Sequence, residues 1–95
     1  MLYICYYEMK PENLDKVISL FQEMVKLRGT GDYPTEVAPT YGVSGPLSGF
    51  TIYEVESQKQ IDNHYIHYHP YLKLKWKPLI VATDFVAAYM KKKKG

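Results

Sequence analysis

The pattern of apolar and polar side chains over residues 2–56 predicts three strands and one helix. Residues 2–9 and 50–56 are rich in aromatic and β-branched side chains and lack Gly and Pro, which predicts strands. Residues 12–28 carry apolar side chains at the 3.6-residue period of an amphipathic helix. Residues 36–43 predict a further strand, in which Pro39 indicates an edge position or a bulge.

From residue 57 onward the pattern predicts a second helix, one more strand and a short last helix. Ser57 and Gln60 form the S-x-x-Q pattern of a capping box, which predicts the start of a helix, and Pro70 ends it. Residues 72–80 alternate apolar side chains with lysines, and such a lysine row is typical of a strand near the edge of a sheet. Residues 84–92 predict a short last helix.

The element order predicts the fold class. A β-α-β-β-α-β order with a short C-terminal helix predicts an α+β, ferredoxin-like fold with a four-stranded antiparallel sheet. Its two long helices cover one face of the sheet. Both alternating sets of the first strand are apolar, however, with Leu2, Ile4 and Tyr6 in one and Cys5 and Tyr7 in the other. An uncovered apolar face of this size exceeds what monomers usually expose, so we expect a two-fold homodimer in which the chain's partner is itself.

Composition limits the class of protein. The chain has 95 residues, of which 46% are apolar and 23% charged, and this fits one globular domain. We assign residues 1–90 to that domain and residues 91–95 to a lysine-rich tail. The net charge is +2, but the four lysines of the tail contribute more positive charge than that, so the rest of the chain is mildly acidic. Nucleic acid is therefore not an expected partner. The sequence shows no 18-residue apolar run and no signal peptide, and it has one cysteine, so we expect a cytoplasmic protein with no membrane partner.

Three local signatures, together with the element order, carry a resemblance to a known group of proteins. They are M-L-Y-I at the start of the first strand, G-F-T-I-Y-E-V-E-S at residues 49–57, and W-K-P-L-I-V at residues 76–81. With them, residues 1–90 resemble the dimeric α+β barrel superfamily, and within it small prokaryotic domains of unknown function. The resemblance implies that two protomers pair sheet to sheet around a barrel. Members include cofactor-independent monooxygenases, muconolactone-isomerase-like enzymes, haem-degrading enzymes and small-ligand sensors, so the resemblance indicates a fold rather than a reaction.

Histidine and aromatic residues are the candidate site residues. His64 or His67 could act as a general base, since a neutral imidazole accepts a proton near pH 7. The side chains expected to line an aromatic ligand pocket are Tyr6, Tyr41, Tyr65 and Trp76. The H-x-x-H-x-H run matches no zinc spacing, so no metal is predicted. No cofactor is expected either, because haem-degrading members use an Asn early in the first strand and residues 2–9 contain none.

The sequence leaves three functions open. The first is a small cytoplasmic homodimer that binds a small apolar or aromatic molecule. The second is a cofactor-independent monooxygenase or isomerase-like enzyme with a histidine base, and the third is a purely structural or regulatory dimer. Cavity volume separates them, because an open cavity with a histidine in its wall favours a ligand or catalysis, and a filled interior favours the structural dimer.

Overall fold

A computed structural model describes residues 1–94 of the chain as an α+β fold. The strands are β1 (Leu2–Glu8), β2 (Thr35–Glu36), β3 (Tyr41–Gly42), β4 (Ser48–Glu54) and β5 (Lys73–Pro78). The helices are α1 (Leu14–Leu27), α2 (Gln58–Tyr68) and α3 (Ala82–Lys94), and a 3₁₀ turn at Pro11–Asn13 precedes α1. None of these helices combines the length and apolar character needed to cross a membrane.

The sheet is antiparallel and open, with the order β2-β4-β1-β5, and β3 pairs with β4 on the same edge as β2. This order is compatible with a ferredoxin-like domain. Within residues 1–94 the sheet has five strands, so the four-stranded prediction is wrong on this point. The predicted strand at 36–43 is divided into β2 and β3 because Pro39 lies between them, and a proline has no N–H to donate to a neighbouring strand.

The first long helix follows the predicted range closely. Pro11 opens the 3₁₀ turn, where its missing N–H is harmless, and α1 continues to Leu27. Gly29 follows with a φ of +86°, a conformation that L side chains rarely adopt and that commonly ends helices. The buried stripe of α1 is Val17, Leu20 and Met24. It packs with Tyr68 at the end of α2 and with Leu72 before β5.

The second helix starts at the predicted capping box, but the glutamine of the box bonds elsewhere. Ser57 is the N-cap residue of α2. Gln60 is buried, and its Oε1 accepts a hydrogen bond of 2.8 Å from the backbone N–H of Glu56. Its Nε2 donates to the carbonyl of Gly31 at 3.1 Å. The side chain therefore ties the start of α2 to the loop that follows α1.

The two faces of the sheet differ in cover. The helix-covered face includes Tyr3, Cys5, Tyr7, Thr51, Tyr53, Val55, Leu74 and Trp76, and the apolar side chains of the open face are Leu2, Ile4, Tyr6, Tyr41, Phe50 and Ile52. The open face also carries charged side chains, with Glu8 and Glu54 at the strand ends and Lys73, Lys75 and Lys77 along the edge strand β5. The sequence-based expectation of apolar side chains on both faces is confirmed.

Helix α3 extends away from the rest of the protein. No residue of Ala82–Lys94 is buried, and the longest dimension of the chain is 56 Å. The radius of gyration is 16.1 Å, whereas a compact chain of this length has about 12.4 Å. The accessible surface is 6834 Å², which exceeds the roughly 5,700 Å² of a compact monomer of this mass by about 1,200 Å². The helix includes the lysine run to Lys94 and begins two residues earlier than predicted.

Candidate functional site

An apolar cavity of about 200 Å³ lies between α1 and the helix-covered face of the sheet. Leu14, Val17, Ile18 and Phe21 of α1 form one wall. Cys5, Tyr7, Thr51 and Tyr53 line the floor, because residues at alternate positions of a strand point to the same face. His64 and Tyr68 of α2 also line the cavity, as do Leu72 and Leu74 at β5, and Thr40 and Pro46 on either side of β3.

Two hydrogen-bonded pairs supply the polar groups of this apolar cavity. The hydroxyl oxygens of Thr40 and Thr51 lie 2.6 Å apart. The hydroxyl of Tyr53 lies 3.2 Å from Nε2 of His64. Thr51 and Tyr53 are two residues apart on β4 and both are buried. The cavity thus combines apolar walls with a short row of polar atoms, an arrangement typical of sites that bind small molecules.

The environment of His64 keeps its imidazole neutral. The side chain is 3% exposed and lies among the rings of Tyr53, Tyr68 and Trp76, at centroid distances of 5.2, 5.0 and 5.1 Å. Burial, with smaller contributions from the positive charges of His67 and Arg28, lowers the pKa of His64 to about 3. Nδ1 of His64 has no hydrogen-bond partner within residues 1–94.

The other titratable groups in the cavity wall are neutral as well. Burial raises the pKa of the Cys5 thiol to about 12, so the thiol is not a nucleophile at neutral pH. Burial also raises the pKa of the Tyr53 hydroxyl to about 12, and the pKa values of Tyr7 and Tyr68 shift in the same direction. A cavity whose titratable wall groups carry no charge at pH 7 favours a neutral ligand, since an ion would lose its hydration without gaining a counter-charge.

The four aromatic residues predicted to line one pocket lie in three places. Trp76 is on the helix-covered face beside His64. Tyr6 and Tyr41 are on the open face, with ring centroids 6.4 and 5.7 Å from Phe50. Tyr65 stacks on His69, with a centroid distance of 5.1 Å. The structure separates Trp76 from Tyr6 because Trp76 pairs with Cys5, and consecutive residues of β1 point to opposite faces.

His67, the second predicted base, connects the two packed helices. Its Nε2 lies 2.7 Å from the carbonyl oxygen of Leu20, to which it donates a hydrogen bond. The carboxylate of Glu23 lies 3.8 Å from the same nitrogen. His64 and His67 thus bond to different partners. Across residues 1–94, no three His, Cys, Asp or Glu side chains converge in a way that could hold a metal ion.

Sequence reasoning missed the polar floor of the cavity. Thr51 and Tyr53 belong to the same alternating set as Val55, and Thr51 pairs with Cys5 of β1. The available signal was a polar residue, Thr51, between apolar residues in the middle of a strand. A hydroxyl at a buried strand position requires a hydrogen-bond partner, and here Thr40 provides it.

The sequence matches a known protein family over nearly its whole length. The match is to a domain of unknown function, DUF3303, over residues 1–93. The chain belongs to the DUF3303 family. The match includes the whole sheet, α1, α2 and nearly all of α3. No curated protein matches the sequence. The family description assigns no reaction, so the cavity and the surfaces of this DUF3303 protein are the features that bear on its function.

Proposed function

We propose that this DUF3303 protein binds a small, neutral, largely apolar or aromatic molecule in the cavity beneath α1. The observation that carries the proposal is an apolar cavity of about 200 Å³ with four hydrogen-bonded polar side chains in its wall. An engineered apolar cavity of about 150 Å³ binds benzene. The volume therefore suits a molecule with one substituted ring.

The polar side chains of the cavity wall indicate which functional group the ligand carries. The Thr40–Thr51 and Tyr53–His64 pairs hold both donors and acceptors, and Nδ1 of His64 has no partner within the described chain. A hydroxyl or carbonyl group can bond to atoms of this kind without carrying a charge. A phenol is the simplest molecule that combines one ring with one such group.

The proposed assembly is a homodimer in which two open faces pack together, as the resemblance to dimeric α+β barrels implies. The open face places Ile4 beside Ile52 and Tyr6 beside Phe50, with Tyr41 at its margin. Tyr6 and Tyr41 are exposed in the single chain. Aromatic and aliphatic side chains clustered on one face are typical of protein interfaces, and a second copy offers an identical apolar surface.

An enzyme with a histidine base is the second candidate, favoured by the contact between His64 and Tyr53 in the cavity wall. A general base works best when its pKa lies near the working pH, and the pKa of His64 is lowered to about 3. Binding therefore ranks before catalysis. Turnover of single-ring phenols and lactones by the wild type, abolished in His64→Ala and retained in His67→Ala, would reverse that order.

Two ligands that differ in one group test the binding proposal. Phenol and toluene share a ring and differ in a hydroxyl or a methyl group. We expect phenol to bind the wild-type protein and Thr51→Val to lower its affinity about tenfold, while toluene binding changes little. Thr35→Val, at an exposed position of β2, serves as the control. Calorimetry or ligand-observed NMR measures both affinities. Failure of both ligands to bind would contradict the proposal and leave the purely structural dimer.

A further inference from the structure

Helix α3 carries an apolar stripe that the rest of its own chain does not cover. Ala82, Phe85, Val86, Tyr89 and Met90 follow the i, i+3, i+4, i+7, i+8 spacing of one helix face. No residue of the helix is buried, although it has 13 residues. An isolated helix shorter than about 12–15 residues is marginal in water, and most helices in proteins are stabilised by packing of an amphipathic face. The stripe therefore indicates a packing partner.

The mouth of the cavity offers a second uncovered apolar surface. Ile18, Phe21 and Val25 lie at i, i+3 and i+7 on α1, and all three are exposed. Ile18 and Phe21 also line the cavity. The apolar arc of α1 is thus wider than the part that packs on α2 and the sheet. The uncovered part borders the opening through which a ligand would pass.

The chain's own α3 is badly placed to cover this mouth. It begins after Pro78, which pairs with Tyr3, whereas Tyr7, Leu72 and Leu74 line the cavity at the opposite end of β1 and β5. Four residues of β5 separate Pro78 from Leu74, which is about 13 Å. The connection at residues 79–81 spans on the order of 10 Å. Its own α3 would therefore have to fold back along β5 to reach the mouth, so a second copy is the better occupant.

Surface area and charge also favour a second copy of the chain as the partner of α3. The chain exposes about 1,200 Å² more than a compact monomer of its mass, and a standard interface buries about 800 Å² on each partner. Residues 1–81 hold nine carboxylates and eight Lys and Arg, whereas α3 holds Asp84 and four lysines. The lysine row of the body lies on the edge strand β5, whereas the charges of α1 balance, with Asp15 and Glu23 against Lys16 and Lys26. A basic helix is therefore repelled by the β5 edge and meets no such repulsion at α1.

We propose that α3 is exchanged between the two subunits of the dimer. Its apolar stripe lies across the cavity mouth of the partner, against Ile18, Phe21 and Val25, and closes the cavity over the ligand. The exchange rests on the proposed homodimer, and the closure rests on the proposed ligand site. Each subunit then completes the binding site of the other, because the walls of the cavity come from one chain and its cover from the other.

Disulfide trapping tests the exchange without any ligand. In a Cys5→Ala background, which removes the single thiol, one protein carries Phe21→Cys with Tyr89→Cys. The matched control carries Phe21→Cys with Ala87→Cys, which places the second thiol on the opposite side of α3. A disulfide forms only when the two Cα atoms come within about 7 Å. We expect most of the first protein, and little of the control, to become a covalent dimer under mild oxidation.

The masses of the oxidised products decide between the outcomes. An internal disulfide in a monomer would show that α3 folds back on its own chain, and equal dimer formation in both proteins would show that contact is random. Either result overturns the exchange, as does the absence of any cross-link. None of these readouts involves a ligand, so a failure of the phenol experiment leaves the exchange standing.

Ligand release then tests the closure. We expect Phe85→Ser to weaken phenol binding about tenfold through faster release, because it removes one aromatic group from the cover. Ala87→Ser, on the opposite side of the helix, keeps the wild-type rate. Identical release rates in wild type, Phe85→Ser and Ala87→Ser would overturn the closure. A protein that traps the covalent dimer but releases phenol at an unchanged rate retains the exchange alone.

Discussion

The two faces of the sheet are built from similar residues and differ in what covers them. On the helix-covered face, Cys5 and Tyr53 are almost fully buried, while one position along β1, on the open face, Tyr6 is 43% exposed. The helices show the same contrast, since α1 buries three residues and α3, of nearly equal length, buries none. Strand alternation places apolar groups on both sides of the sheet, but only two helices pack against it. The single chain therefore leaves apolar surface uncovered on the open face and on α3.

This comparison also separates the two parts of the proposed function. The cavity belongs to the covered face, where burial keeps the wall groups neutral and fixes them by hydrogen bonds. The proposed association surfaces belong to the open face and to α3. Stability of the single chain should therefore depend on residues of the first region, and association on residues of the second.

The largest expected effect lies in the covered core. Met24 is 2% exposed and belongs to the cluster that joins α1, α2 and the start of β5. Met24→Ala should lower the free energy of unfolding by about 3 kcal/mol, because it removes buried methylene groups and leaves a cavity. Ile66→Ala, on α2 with 68% exposure, should change it by less than about 0.5 kcal/mol. Urea unfolding at one protein concentration measures both, and similar losses in the two variants would contradict the division into regions.

Two tyrosines of similar exposure, one on the open face and one on α2, test which surface forms the dimer interface. Tyr6 is 43% exposed on the open face and Tyr65 is 46% exposed on α2. Tyr6→Lys should weaken dimer formation by at least about 30-fold, because buried interface aromatics often contribute about 2 kcal/mol and the new charge lies beside Lys75. Tyr65→Lys should leave association unchanged. Sedimentation of the two variants provides the measurement, and a stronger effect at Tyr65 would move the interface to α2.

Acid should destabilise the covered face through His64. Its folded pKa of about 3 lies below the ordinary 6.5, so the unfolded chain binds more protons between these values and stability falls as the pH falls. We expect a loss of about 2 kcal/mol from this group between pH 7 and pH 5. His64→Leu should reduce that loss, whereas His69→Gln should retain it. Unfolding free energies at both pH values give the slopes, and an unchanged slope in His64→Leu would show that its imidazole does not titrate with unfolding.

The smallest expected effect concerns one hydroxyl. Tyr53→Phe removes the partner of Nε2 of His64 and leaves a buried polar atom unsatisfied. The free energy of unfolding should fall by about 1 kcal/mol. Tyr41→Phe, which alters an exposed tyrosine of the open face, is the control and should have no measurable effect. Equal stability of Tyr53→Phe and wild type would indicate that this hydrogen bond adds nothing to the fold.

Much of the fold followed from local patterns in the sequence. The helical period over residues 12–28 located α1, and the S-x-x-Q pattern located the start of α2. The division of one predicted strand into β2 and β3 was partly signalled by Pro39, but a proline alone does not show whether a strand bends or breaks. The extent of α3 beyond the body could not be predicted, because a short amphipathic pattern does not show what it packs against.

The candidate site was harder to predict because strand alternation identifies two sets of side chains without showing which set faces the helices. Placing Tyr6 and Trp76 in one pocket required them to share a face, and the pairing of Trp76 with Cys5 puts them on opposite faces. His64 was predicted as a candidate base from its residue type, whereas its contact with Tyr53 depends on how α2 lies across β4. Register and helix placement are tertiary properties, and local patterns contain little information about them.

The central claim, that a second copy covers the apolar surface, is tested most directly by the mass of the protein in solution. Sedimentation equilibrium of the full chain from ~0.1 to ~100 μM spans the affinities expected of a specific dimer. We predict a mass of twice 11.1 kDa over most of that range, with dissociation only at the lowest concentrations. A mass of 11.1 kDa at every concentration would contradict the account.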